Sequence, residues 1–316
     1  MSALHVVVTG AQGFVGSALV DRLLEYGIRG RPVSKLTVVD IAFPVPPVDP
    51  RVEQVAGSIA DVEVRARAYA TPVDVVFHLA SVPGGAAEGN YELGRTINLD
   101  ATLGLLEDLR DQPHTPRFVF ASSVAVYGES LPELIDEQTL PAPALTYGAH
   151  KLIGEVLVAD ATRLGWIQGC SLRLPGVVAR PGDGAGLMSA FMSQLFWKLA
   201  AGEPITVPVS AAGVAWWISV GACVDNLLHA ASVDVERFDA RRIYQMPVLR
   251  LTIGKVVDAL ATRFGADPSM LVTYAPDPRV ERLFATYPDI STVEAERLGL
   301  HHDGTVDQLI TRAMSK

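Results

Sequence analysis

The sequence predicts an α/β protein built on a doubly wound parallel sheet, with a smaller C-terminal lobe. Three observations predict it. The unbroken apolar run His5-Val6-Val7-Val8-Thr9 leads directly into a glycine-rich turn and then an amphipathic segment. Comparable short apolar runs recur through the first half of the chain with helical patterns between them. Polar residues collect where those runs end, as at Asp40, Ser122 and Ser123. Strands buried on both faces of a parallel sheet read as continuous apolar runs, and their ligands gather at the carboxyl ends.

The first run is followed by Gly10-Ala11-Gln12-Gly13-Phe14-Val15-Gly16 and then by a helical pattern to Tyr26, closed by Gly27. Gly10 permits a tight turn, Gly13 admits a pyrophosphate to the backbone, and Gly16 lets helix lie close on strand. The start of that helix offers unpaired amides and a positive dipole end to phosphate. The spacing is Gly-x-x-Gly-x-x-Gly rather than Gly-x-Gly-x-x-Gly. This is a Rossmann-type start, and it predicts a dinucleotide.

Leu36 to Asp40 is the second strand, with an acid at its end. Such an acid accepts hydrogen bonds from the adenosine ribose and repels a 2′-phosphate. No Arg follows within Ile41 to Phe43, so the expected cofactor is NAD rather than NADP. Phe43 to Pro50 is a proline-rich loop and Val52 to Gly57 a third strand. Ser58-Ile59-Ala60-Asp61 falls where an adenine edge would lie, although Asp61 reads equally as a helix N-cap. Val73 to Ser81 is the fourth strand, with His78 expected as a satisfied core histidine. Ser81 to Gly89, rich in Gly and Ala, is a candidate cleft lining. Asn98 falls in a helix running from about Tyr91 to Arg110, where it reaches the cofactor, holds a water or is an ordinary helical residue. Phe118 to Ser123 is the fifth strand and ends in hydroxyls.

Tyr147 and Lys151 stand four apart on a helical pattern, hence on one face. A free tyrosine titrates near ~10, and a neighbouring ammonium favours its phenolate, so such a pair can move a proton at neutral pH. Ser123, at a strand end, can share the substrate oxygen with that tyrosine.

Composition narrows the alternatives. Of 316 residues 49% are hydrophobic, enough for one large α/β unit or a domain plus a lobe. A net charge of −9 argues against a nucleic-acid partner. No apolar run is long enough to span a membrane. The N-terminus lacks a basic region followed by an apolar core, so no secretory leader is expected and a cytoplasmic setting is. Cys170 and Cys223 sit in apolar surroundings with no Cys or His at ligand spacing, which predicts buried free thiols and no metal site.

Taken together, Thr9 to Gly16, Asp40, His78-Leu79-Ala80, Asn98, Ser122 to Gly128 and Tyr147 to Lys151 resemble the extended short-chain dehydrogenase/reductases, the NAD-dependent epimerase/dehydratase family. The resemblance covers the N-terminal two-thirds of the chain in order. It implies a catalytic set of Ser123, Tyr147 and Lys151. It implies that NAD lies along Gly10, Gln12, Gly13, Phe14, Val15 and Gly16, with Asp40 at the ribose. Ser58 and Ile59 would flank the adenine. Leu79, Ala80, Ser81, Asn98 and Pro175 would line the remainder, and Tyr147 and Lys151 would meet the nicotinamide end. It also implies a homodimer through four helices, built from the segments Glu92 to Arg110 and Tyr147 to Leu164.

Two marks of the family's nucleotide-sugar members are altered. Gly176 stands where they carry a substrate-binding Asn, and Ala215 to Asp225 lacks the Arg that grips a diphosphate. The variant run Leu174 to Gly182, with Trp217-Ile218-Ser219, is similar to the D-erythronate dehydrogenase branch, which oxidises the 2-hydroxyl of a short sugar acid with NAD. A small-molecule substrate would then lie against Ser81, Ser123, Val124, Tyr147, Gly176 and Arg180. Arg180 either matches one carboxylate or makes a structural pair. The expected division is a cofactor domain over 1–171 and a substrate lobe over 172–316, with interleaved elements. Gly182 to Gly186 reads as a mobile loop, and helices are expected over Leu187–Ala201, Val224–Ala231, Ile253–Phe264 and Thr305–Met314.

Overall fold

The computed structural model describes residues 3–182 and 187–315, so all of the Gly182–Gly186 loop except Gly182 lies outside the described residues. The chain divides into two compact units. The first comprises residues 1–126, 143–173 and 224–245, and the second 127–142, 174–223 and 246–316.

In the first unit, β1 (Leu4–Thr9), β2 (Val33–Asp40), β3 (Val52–Ala56), β4 (Val75–His78) and β5 (Arg117–Ser123) follow in chain order. β7 (Gln168–Leu174) and β11 (Ile243–Gln245) complete a seven-stranded sheet of order β11-β7-β5-β4-β1-β2-β3. The β1 pairings with β2 and β4 are parallel, as are β2–β3, β4–β5 and β7–β11. Strand order reverses between β1 and β4, which opens a crevice at their carboxyl ends. Helices α1 (Phe14–Tyr26), α2 (Val62–Ala68), α3 (Gly84–Gly89), α4 (Tyr91–Arg95), α5 (Ala101–Leu109) and α6 (Thr146–Arg163) belong to this unit. Val7, Val76, Phe118 and Phe120 of the sheet join Leu105 and Leu106 of α5 and Val158 and Ala161 of α6 in one apolar core.

The second unit is held differently. β8 (Gly176–Val178), β10 (Val214–Ser219) and β12 (Leu249–Thr252) form a mixed three-stranded sheet. Two further pairs are parallel: β6 (Leu134–Ile135) with β14 (Asp289–Ile290), and β9 (Ile205–Val207) with β13 (Val272–Tyr274). Helices α7 (Ala190–Ala201) and α9 (Ile253–Phe264) pack with Trp217, Phe191, Phe196 and Leu195 into a separate core. Helix α8 (Val220–Ser232) begins four residues earlier than its apolar pattern predicts, because Ser219 caps it: its hydroxyl accepts the Ala222 amide at 2.9 Å.

Two local features of the first unit add detail to the sequence reading. The helix expected over Tyr91–Arg110 contains a π-helical turn over Thr96–Asp100. Such turns add a residue and re-aim the side chains around them. The Gly/Ala-rich stretch after Ser81, read as a candidate cleft lining, contains the short helix α3.

Candidate active site

The carboxyl edge of the first sheet is assembled from short polar contacts. Gly10 adopts φ +71, and a Cβ there would meet the Ala80 backbone nitrogen at 2.8 Å, so only glycine admits this approach of β1 to the end of β4. A Cβ on Gly16 would lie 2.1 Å from the Gly10 carbonyl, which explains the close helix–strand packing. Gln12 donates its amide to Asp40 Oδ2 at 2.8 Å, and Ile41 donates to Oδ1 at 2.8 Å. Asp40 therefore ties the glycine turn to the end of β2, while each oxygen keeps a lone pair for another donor.

A dinucleotide fits these residues. The first turn of α1 has Gly13 at its N-cap, with no side-chain cap bond and no acidic residue, the arrangement in which a helix start suits a phosphate. A Cβ on Gly13 would meet nothing but the Gly10 carbonyl, at 3.1 Å. Beyond β3, Ser58 Oγ accepts the Ala60 amide at 3.2 Å and Ile59 is buried. Asp61 sits at the N-cap of α2 without a side-chain cap bond.

His78 lies wholly inside. Thr9 Oγ1 is 2.7 Å from its Nδ1 and Thr102 Oγ1 is 2.9 Å from its Nε2. Burial pushes its pKa down to about 3, with Lys151 adding to the effect, so the ring stays neutral. Thr9 also accepts the Ala80 amide at 3.2 Å, and the Leu79 amide donates to the Thr9 carbonyl at 3.2 Å. Asn98, re-aimed by the π turn, is buried and grips Val82: its Oδ1 accepts the Val82 amide at 2.7 Å and its Nδ2 donates to the Val82 carbonyl at 3.0 Å. Its amide thus holds the backbone immediately after Ser81.

Tyr147 and Lys151 occupy the first turns of α6. Leu145 at the N-cap offers no side-chain cap, and the Thr146 amide instead donates to Glu88 of α3. Gly148 is required by proximity, since a Cβ would lie 2.3 Å from the Ala125 carbonyl just beyond Ser123 and Val124. Ser123, half-buried, accepts the Ala125 amide at 3.1 Å, which leaves its own hydroxyl hydrogen to point elsewhere. Lys151 is 3% exposed, its Nζ 5.6 Å from the centroid of Tyr147 and 4.8 Å from that of Phe120. Burial lowers its pKa to about 7, against an opposing pull from Glu155. Among the described residues no oxygen is hydrogen-bonded or ion-paired to this amine.

Sequence reasoning passes over the network beneath this pair. Glu155, fully buried one turn beyond Lys151, receives Arg173 through two bonds of 2.8 Å and the Ser122 hydroxyl at 2.5 Å. The available signals were a carboxylate at Lys151 plus four and an arginine inside the otherwise apolar strand β7.

In the second unit Pro175 is buried between β7 and β8. A Cβ on Gly176 would stand 2.7 Å from the Met192 methyl and 2.9 Å from the Trp216 carbonyl. The Arg180 amide donates to Ser193 Oγ and its carbonyl accepts the Trp197 indole N–H, both at 2.9 Å, so its backbone is anchored on α7. Among the described residues no group of three or more His, Cys, Asp or Glu could hold a metal ion.

The fold and this edge define a Rossmann-type NAD-dependent oxidoreductase. Residues 6–243 match the model of the NAD dependent epimerase/dehydratase family, and the chain belongs to that family. It is 36% identical to the D-erythronate dehydrogenase of Cupriavidus necator, across 98% of both chains. Against the D-erythronate dehydrogenase of Haemophilus influenzae the identity is 29%, across 97% of this chain and 98% of that one. Among solved structures, the nucleoside-diphosphate-sugar epimerase of Agrobacterium tumefaciens superposes with a TM-score of 0.92 at 31% identity, covering 98% of this chain and 93% of that one. The L-threonine dehydrogenase of Phytophthora infestans shares the fold, with a TM-score of 0.83 at 21% identity over 97% of each chain.

Proposed function

We propose that this enzyme oxidises the 2-hydroxyl of a short sugar acid of the D-erythronate type, with Tyr147 as general base. The observation that carries the reading is the buried Lys151 amine, with no oxygen partner among the described residues, one helical turn from Tyr147 and facing its ring. Tyr147 takes the hydroxyl proton while Lys151 holds the charge of the resulting phenolate and a ribose hydroxyl. Ser123 donates its free hydrogen to the substrate oxygen. Bound NAD supplies the hydride acceptor for the carbon that bears that oxygen.

The substrate class is supported by the D-erythronate dehydrogenase relatives and by the altered nucleotide-sugar marks. At position 176 an Asn has no room, and where a diphosphate-gripping Arg would sit, β10 carries the buried Trp216 and Trp217. In this reading the first unit holds the cofactor, the second selects the substrate, and Arg180 meets the carboxylate. Helices α5 and α6 expose Leu103, Ile153 and Val156, and Tyr91 precedes them, an apolar face suited to a homodimer of four helices. The buried free thiols Cys170 and Cys223 suit a reducing cytoplasm, and no helix among the described residues is long and apolar enough to cross a membrane.

A second reading, a nucleotide-sugar epimerase that retains its NAD, is favoured by the Agrobacterium structure. Incubation with NAD and four- to six-carbon sugar acids, followed by absorbance of the reduced nicotinamide, separates the two. Net reduction with D-erythronate is expected. Interconversion of UDP-sugars without net reduction would overturn the proposal.

A further inference from the structure

The Lys151 amine is buried, and Glu155, the carboxylate that favours its charged form, is engaged elsewhere. Glu155 already accepts Nε and Nη2 of Arg173 and the Ser122 hydroxyl, and it forms no ion pair with Lys151. His78 on β4 is neutral and fully engaged by Thr9 and Thr102. Among the described residues, the groups that receive the amine are two aromatic faces, Phe120 at 4.8 Å and Tyr147 at 5.6 Å.

Phe120 is held in place from three directions. It lies on β5 within the core of the first unit. The His78 ring stacks on it, with centroids 5.8 Å apart and planes inclined by 26°. Gly154 of α6 leaves room for its tip, since a Cβ there would lie 2.6 Å from Phe120 Cζ. Glycine in the middle of an 18-residue helix is unfavourable, so its presence here marks a packing need. The need is for this ring to pass under the helix that bears Lys151.

From this geometry we infer that Phe120 is a positioning residue, its ring face holding the Lys151 ammonium against Tyr147 through a cation–π contact. The inference rests on the reading of Tyr147 and Lys151 as the proton-transfer pair. A ring quadrupole favours the charged form of the lysine, opposing the desolvation that disfavours it. The groups that face Lys151 are then Tyr147 and Glu155 on α6, His78 on β4, Phe120 and Ser122 on β5, and Arg173 on β7 through Glu155. Only the ring of Phe120 can be changed without removing a hydrogen bond.

The test compares wild-type enzyme with Phe120→Leu, which keeps an apolar side chain and removes the ring. A second variant carries 3,5-difluorophenylalanine at position 120, which keeps the ring and weakens its negative face. The pH profile of kcat for sugar-acid oxidation is recorded for each at saturating NAD. In Phe120→Leu the alkaline limb, where the ammonium discharges, is expected about one pH unit lower, with kcat at neutral pH down roughly tenfold. The difluoro variant is expected between the two, with wild-type thermal stability. A profile unmoved in both variants would overturn the inference, as would a kcat loss that tracks melting temperature alone. Lys151→Met, assayed in parallel, keeps the two ideas apart. If it is inactive while the Phe120 profiles are unmoved, only the ring's role falls. If it turns over normally, the proton-transfer reading falls and the inference falls with it.

Discussion

Buried polar groups in the two units are organised differently. In the first unit they form connected sets: Thr9–His78–Thr102 beneath the crevice, Asn98 on Val82, and Ser122–Glu155–Arg173 under α6. Lys151 stands apart from these sets, with no hydrogen bond or ion pair to an oxygen among the described residues. In the second unit the strand that runs through the core, β10, carries two indoles, and their N–H groups end on the backbone carbonyls of Pro288 and Leu251. Its principal buried carboxylate, Asp303, is used on Ser219 at the start of α8, with Arg312 3.8 Å away. A unit that joins buried polar groups into networks around an ammonium with no oxygen partner among the described residues has the arrangement that chemistry requires. A unit whose indoles and carboxylate are absorbed in packing and capping is organised for shape.

The sharpest way to break that contrast is at Tyr147. Removing its hydroxyl in Tyr147→Phe deletes the proposed proton carrier and little of the packing. Turnover with NAD and the sugar acid is expected to fall by roughly 10²–10⁴-fold, the range typical of general acid–base groups. Calorimetry should find NAD binding retained within a few-fold. Normal turnover in this variant would remove the first unit's claim to the proton transfer.

The open ammonium yields a stability prediction of the next size. Burial holds the Lys151 pKa at about 7, below the unfolded value of 10.5. Between those pH values the unfolded chain binds more protons at this site than the folded one. This lysine's contribution therefore makes the fold more stable as pH rises through the window, and least stable at or below neutrality. Lys151→Met is expected to inactivate the enzyme while raising its melting temperature at pH 7. The advantage of the variant in urea unfolding should shrink by more than about 1.4 kcal/mol, the equivalent of one pKa unit, between pH 7 and pH 10. A variant less stable than wild type at pH 7 would mean that the ammonium is not held at a cost.

What could be read without coordinates followed from how local each signal is. The glycine turn, Asp40 and the Tyr147–Lys151 pair are each specified by a few consecutive residues, and the strand–turn–helix pattern around them is short-range. Glu155 and Arg173 were invisible as partners because they meet across 18 positions, joining α6 to β7. Phe120 read as one more apolar residue in a buried strand, and nothing in its spacing says that its face supports a cation. Strand β11 escaped because Ile243, Tyr244 and Gln245 are too few to show a period, although the strand completes the sheet edge beside β7. The Asn98 turn escaped because π-helical geometry leaves no mark in a 3.6-residue apolar pattern.

The smallest expected effect tests whether the second unit is organised for shape. Gly176 is a natural place to try to restore the Asn of nucleotide-sugar enzymes. In β8, though, the side-chain direction is closed by the Met192 methyl at 2.7 Å and by the Trp216 carbonyl at 2.9 Å. Met192 can swing aside. The carbonyl cannot, because β10 is fixed on both edges, by β8 through Trp217–Gly176 and by β12 through Trp216–Arg250. Gly176→Asn should therefore destabilise the fold by about 1–3 kcal/mol, as overpacking does in well-filled cores. It should gain no measurable UDP-sugar binding, since the group added is pressed into backbone rather than presented to a ligand. Urea unfolding measures the first outcome and titration with UDP-glucose the second. A Gly176→Asn enzyme of undiminished stability that binds the nucleotide sugar would show that residue 176 acts through recognition, and the division between a chemical unit and a shape-filling one would not hold there.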